Sequence, residues 1–134
     1  MSIPAGEQHD PLTHAIIGAA MRVRKGVGVG LLEVPYQVFL EHEQRKIGLS
    51  FTSQAGFPVT YDGVRVELGF RTDLVVENAV IVELKTVAAI RPVHKAQLLT
   101  YLRLSGIPVG LLMNFHAIPF TKGIHRLVLS PPTP

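Results

Sequence analysis

The chain has 134 residues, 47% of them hydrophobic and only 17% charged, with no cysteine and a formal net charge of +3. That length predicts one domain, spanning residues 1–129, around one core, and the missing cysteines exclude disulfides, thiolate zinc sites and cysteine nucleophiles, leaving any metal to Asp, Glu or His. Mean hydropathy is high at +0.30, yet no apolar run approaches the roughly 20 residues of a membrane helix, and the opening "MSIPAGEQHD" lacks the basic-then-apolar order of a secretion signal, so a soluble, cytoplasmic protein with no membrane partner is expected.

In chain order, "HDPLTHAIIGAAMRVRK" (9–25) spaces Ala15, Ile16, Ala19, Ala20 and Val23 as a first helix behind an early proline. "GVGVGLLEVPYQVFLEHEQRK" begins with three glycines in five residues and then places Leu32, Tyr36, Phe39, Leu40 and Glu43 as a second helix, with Pro35 in its tolerant first turn. From Gly48 to Thr86 the chain is rich in β-branched and aromatic residues, with "YDGV" as a turn, and reads as an antiparallel meander of about four strands. "RPVHKAQLLTYLRLSG" carries Val93, Ala96, Leu99 and Leu102 to Leu104 on a third helix closed by Gly106. "IPVGLLMNF" and "HRLVLS" read as two closing strands, and the Pro-rich tail at 130–134 as disordered. The order ααββββαββ implies an α/β (α+β) fold, a mixed sheet with helices packed on it.

An acid and a base interrupt the aliphatic strand "VIVELKT". Alternation puts Ile81, Glu83 and Lys85 on one face of that strand, and Arg71, Asp73 and Val75 together on the strand before it. A hairpin turning at Glu77, Asn78 and Ala79 pairs residues whose numbers sum to 156, setting Asp73 opposite Glu83 and Arg71 opposite Lys85. Two carboxylates about 5 Å apart repel in a poorly solvated place unless a proton or a cation relieves them. Hard oxygen ligands suit Mg²⁺ or Mn²⁺, and a nearby ammonium offsets charge that develops on a phosphate, which is what hydrolysis of a phosphodiester needs. The plainer reading is a pair of surface ion pairs, Asp73 with Lys85 or Glu83 with Arg71. On the third helix Gln97 and Tyr101, four residues apart, share a face; alone they read as ordinary surface positions.

Asp73, Glu83-Leu84-Lys85 and the helical Gln97-x-x-x-Tyr101 together resemble the active-site signature of the PD-(D/E)XK nuclease superfamily, in its QxxxY-containing branch. "GLLEVPY" (Gly30 to Tyr36) is similar to the motif of the GxxExxY protein family, and "FRTDLVVE", "VIVELKTV", "PVHKAQLLTYLRLSG" and "VGLLMNF" extend the resemblance over residues 10–129. The resemblance implies a restriction-endonuclease-like mixed sheet with a four-stranded core, flanked by helices, and a nuclease that acts on nucleic acid with Mg²⁺ or Mn²⁺. It implies Glu33, Asp73 and Glu83 as metal-site acids, Lys85 as the catalytic cation, and Gln97 and Tyr101 as the supporting helix pair. Two positions depart from it: Thr72 stands where many members carry Pro, and Lys95 where an acid is expected.

Other features weigh less. "GVGVG" joins two helices, not a strand and a helix, so it reads as a tight turn and not as a phosphate loop. Tyr36 belongs either to the core or to the orientation of Glu33. His94 precedes Gln97 and reads as a solvated position at a helix start, with substrate contact as the alternative; the six histidines form no zinc-like cluster. Two rival functional readings remain beside the nuclease: a catalytically silent module that binds nucleic acid or a protein partner, and a homodimer formed through a sheet edge.

Overall fold

The computed structural model describes residues 10–129; the tail expected to be disordered, 130–134, lies outside them. Helix α1 spans Pro11–Val27. Asp10 caps it, its Oδ1 accepting from the Leu12 and Thr13 amides at 3.1 and 3.3 Å, which satisfies N–H groups that have no partner inside the helix. The helix buries Thr13, Ile16, Ala19, Ala20 and Val23, the stripe expected but for half-buried Ala15. Helix α2 spans Glu33–Lys46 and buries Tyr36, Leu40 and Gln44. Leu32 and Phe39, expected on its core face, are 76% and 39% exposed. The buried row recurs every four residues because α2 shares its inner side with α1, so one narrow row is covered.

Strands β1 (Phe51–Tyr61), β2 (Val64–Val76) and β3 (Val80–Lys85) follow. The expected four-stranded meander is therefore three long strands, with Asp62 and Gly63 at φ +50° and +76° forming the tight turn of "YDGV". Helix α3 (Pro92–Ser105), β4 (Val109–Asn114), a 3₁₀ turn (Phe120–Gly123) and β5 (Ile124–Val128) complete the chain. The sheet order is β1-β2-β3-β4-β5, five strands where the resemblance implied a four-stranded core. Strands β3 and β4 are parallel and the other neighbours antiparallel. The parallel step requires a crossover, and α3 supplies it.

The centre of the sheet is covered on both faces, while the outer ends of β1 and β2 are exposed. Ile16, Tyr36, Leu40, Leu74, Val82, Leu84 and Met113 pack together on the side of α1 and α2, whereas Val75, Ile81, Leu98, Leu102 and Leu112 pack on the side of α3. Helix α3 buries only Leu98 and Leu102; Val93, Leu99 and Leu104, expected in the core, are exposed. Contact between α3 and the sheet is tight at Gly110, where an added Cβ would stand 2.9–3.0 Å from the Leu98 side chain. Gly110→Ala is expected to lower the denaturant midpoint by about 1–3 kcal/mol of stability, and an unchanged midpoint would show that Leu98 can move aside freely. Among the described residues no helix is long and apolar enough to cross a membrane.

Candidate active site

The turn at Glu77 and Asn78, both at φ +53°, fixes the hairpin between β2 and β3. Its pairs, Leu74 with Val82, Val75 with Ile81 and Val76 with Val80, carry the expected register and bring Asp73 beside Glu83. The ladder ends there, and side chains take over its hydrogen bonds. The Asp73 amide donates to Glu83 Oε1 at 2.9 Å, and the Leu84 amide donates to Asp73 Oδ2 at 2.8 Å. Each carboxylate is thus anchored to the opposite strand, and the two are held side by side.

Arg71 does not face Lys85, contrary to the extrapolated register. Beyond Leu74 the strand leaves β3 and turns over: Leu74 lies in the core of α1 and α2, while Ala55, paired with Thr72, lies in that of α3. Phe70, two residues further along, stacks on Tyr101 of α3 at 4.4 Å and on Phe57 at 5.0 Å. Gln54 marks the reversal with a φ of +49°. Lys85 instead pairs with Asn114 of β4. Neither ion pair of the plainer reading forms: among the described residues no Lys or Arg nitrogen pairs with Asp73 or Glu83.

Electrostatics tie the site together. Glu83 is 7% exposed; burial first, and then the neighbouring Asp73 charge, push its carboxyl up to about 7. Burial also raises the Asp73 carboxyl, against the opposing pull of the Leu84 amide, Gln54 and Lys85. Glu33, at the first position of α2, is raised by desolvation and by Asp73 and lowered by Lys85. Tyr101 is raised by desolvation and by both Glu83 and Asp73. Glu33, Asp73, Glu83, Lys85 and Tyr101 therefore share one electrostatic neighbourhood. Gln97 is exposed, and its side chain makes no hydrogen bond among the described residues. His94 has a local role: its Nδ1 accepts from the Arg91 amide at 2.9 Å and caps α3.

Polar residues that the sequence did not single out surround these groups. Gln37, one turn after Glu33, donates from Nε2 to the Asp73 carbonyl and to Glu41 Oε2, both at 3.0 Å. Gln54 donates to Gln37 Oε1 at 3.0 Å. Buried Asn114 accepts from the Val87 amide at 3.1 Å and donates to the Val87 carbonyl at 2.8 Å, stapling the loop that leaves Lys85. The spacing of Glu33, Gln37 and Glu41 at four residues was the available signal for this row.

Buried Glu83 and half-buried Asp73 stand side by side, both resisting ionisation and neither ion-paired among the described residues, a donor set short of positive charge whose hard oxygens fit Mg²⁺ or Mn²⁺. Among the described residues no three acids or imidazoles converge closely enough to hold an ion, so the fit is to a pair, with waters or substrate oxygens completing the shell as Mg²⁺ commonly requires. A family model described as the PD-(D/E)XK nuclease superfamily matches residues 10–127. No curated protein and no solved structure matches the chain.

Proposed function

Because this chain belongs to the PD-(D/E)XK nuclease superfamily, we propose that it is a metal-dependent nuclease that hydrolyses phosphodiester bonds of nucleic acid at the Asp73 and Glu83 pair. The observation that carries the reading is the reciprocal anchoring of these two carboxylates with no ion pair to either among the described residues. An ordinary structural pair would be matched by a cation, because unmatched charge out of water costs stability; without metal this pair has only a proton to relieve it. On the same reading we assign the chain to the GxxExxY group and the QxxxY branch, from Gly30, Glu33 and Tyr36 and from Gln97 and Tyr101.

Asp73 and Glu83 would hold the metal. A bound divalent ion supplies Lewis acidity toward the phosphoryl oxygen and toward water. Lys85, whose charge acts on all three acids of the site, offsets negative charge that develops on the phosphate. Glu33 adds a third carboxylate at the margin, suited to ordering water. Tyr101, braced against Phe70, and Gln97, exposed and uncommitted, offer an O–H and an amide to the phosphate backbone.

The test is cleavage of supercoiled DNA, single-stranded DNA and RNA with Mg²⁺ or Mn²⁺ by wild type, Asp73→Asn and Lys85→Met. Wild type is expected to cut, Asp73→Asn to lose metal binding and cutting together, and Lys85→Met to lose about 10²–10³-fold in rate with metal binding kept. Nucleic-acid binding by wild type without any cutting would overturn the catalytic reading in favour of the silent binding module.

A further inference from the structure

Gln54 is strained and polar, and the chemistry above does not use it. Its φ of +49° lies in the left-handed region that a side chain with a Cβ disfavours. It falls between the pairs Ser53 with Leu74 and Ala55 with Thr72, which puts it across from Asp73. Strain of this kind persists where the surroundings over-determine it, and it clusters at functional sites. Here the side chain meets Gln37, which in turn holds Asp73. The Gln54 side chain donates to Gln37 Oε1 at 3.0 Å, and Gln37 in turn donates to the Asp73 carbonyl at 3.0 Å, while the nearby Gln54 amide helps to hold the Asp73 carboxyl down against burial. Glu41 fixes the far side, accepting from Gln37 at 3.0 Å and from the Ser53 hydroxyl at 2.7 Å. The Asp73 backbone is thus gripped by one chain of amides that runs from β1 to α2, on the residue whose carboxyl the Leu84 amide holds from the other strand.

Resting on the nuclease reading, we infer that Gln54 and Gln37 form an amide bridge that positions the Asp73 carboxylate to receive a divalent ion, acting as positioning residues that touch neither metal nor substrate. A purely structural purpose explains the bridge poorly. Gln54 is exposed, where hydrogen bonds compete with water, and glycine would adopt its backbone conformation without strain.

The experiment measures Mn²⁺ affinity by calorimetry and the melting temperature of the metal-free protein, for wild type, Gln54→Gly, Gln37→Met, the double variant and Asp73→Asn. Gln54→Gly is expected to keep or raise the metal-free melting temperature while weakening Mn²⁺ binding by about 10- to 100-fold, the usual cost of losing an outer partner of a metal ligand. Gln37→Met, on regular helix, should weaken binding similarly, and the double variant should be no worse than the weaker single, because both act through one bridge. Mn²⁺ affinity unchanged in both singles, with binding abolished in Asp73→Asn, would overturn the bridge and leave the metal site standing. Wild type that fails to bind Mn²⁺ would overturn the site and the bridge with it.

Discussion

Glu83→Gln is expected to make the metal-free protein more stable at pH 8 and to abolish cleavage. The Glu83 carboxyl titrates at about 7 in the folded chain against 4.5 for the free side chain, so the folded state holds the proton more tightly than the unfolded one. Its contribution to stability is fully present below about pH 4.5 and is lost as pH rises through about 7. The gap corresponds to roughly 3 kcal/mol. Glutamine keeps the shape and can still accept from the Asp73 amide through its carbonyl oxygen, but it carries no charge to bury. Thermal melts of the metal-free wild type should therefore fall between pH 5 and 8, and those of Glu83→Gln should stay nearly flat. Mg²⁺ should reverse the trend in wild type, stabilising most above pH 7, where the carboxylates are free to bind it. The coupled pair should then titrate as one unit whose raised value disappears on metal binding. A flat wild-type profile, or a Glu83→Gln protein that melts lower than wild type at pH 8, would show that the two carboxylates are not held in conflict.

That conflict was legible in the sequence because a short turn propagates. Once Glu77 and Asn78 are taken as the turn, the sum of 156 carries along the hairpin and puts Asp73 beside Glu83 without further information. The same sum failed one pair further, for Arg71 and Lys85, because it assumes an unbroken strand. The break lies at Gln54 on the neighbouring strand, and a left-handed glutamine has no sequence signal of the kind that Gly or Asn would give. The reversal also places Phe70 against Tyr101, a contact that strict alternation would deny. The buried stripe of α1 follows ordinary periodicity, whereas α3 leaves Val93, Leu99 and Leu104 exposed against that pattern. Its neighbours supply cover only along Leu98 and Leu102, and hydrophobicity alone does not say which of several apolar rows a sheet will accept.

Tyr36 separates the scaffold half of "GLLEVPY" from its chemical half, and two substitutions there should have different outcomes. Its ring is fully buried and stacks on Phe115 at 4.6 Å, so Tyr36→Ala should cost about 3–5 kcal/mol and threaten folding. Its hydroxyl donates to the Gly28 carbonyl at 2.6 Å and accepts from the Leu31 amide at 3.3 Å. The carbonyl of Leu31 lies 2.7 Å from His116 Nε2, which must carry the proton there because a carbonyl can only accept. Leu31 is thus held at both ends of its backbone, and Glu33 starts α2 two residues later. Tyr36→Phe keeps the stack, leaves two partly buried backbone groups unpaired at a cost of about 1–3 kcal/mol, and frees the segment that launches Glu33. If the hydroxyl serves the site through Glu33, Tyr36→Phe should slow cleavage at a temperature where the variant is fully folded, and adding it to Glu33→Gln should cost little more than Glu33→Gln alone. Fully additive rate losses would detach Tyr36 from Glu33 and leave it a core residue that happens to stand three places along the same helix.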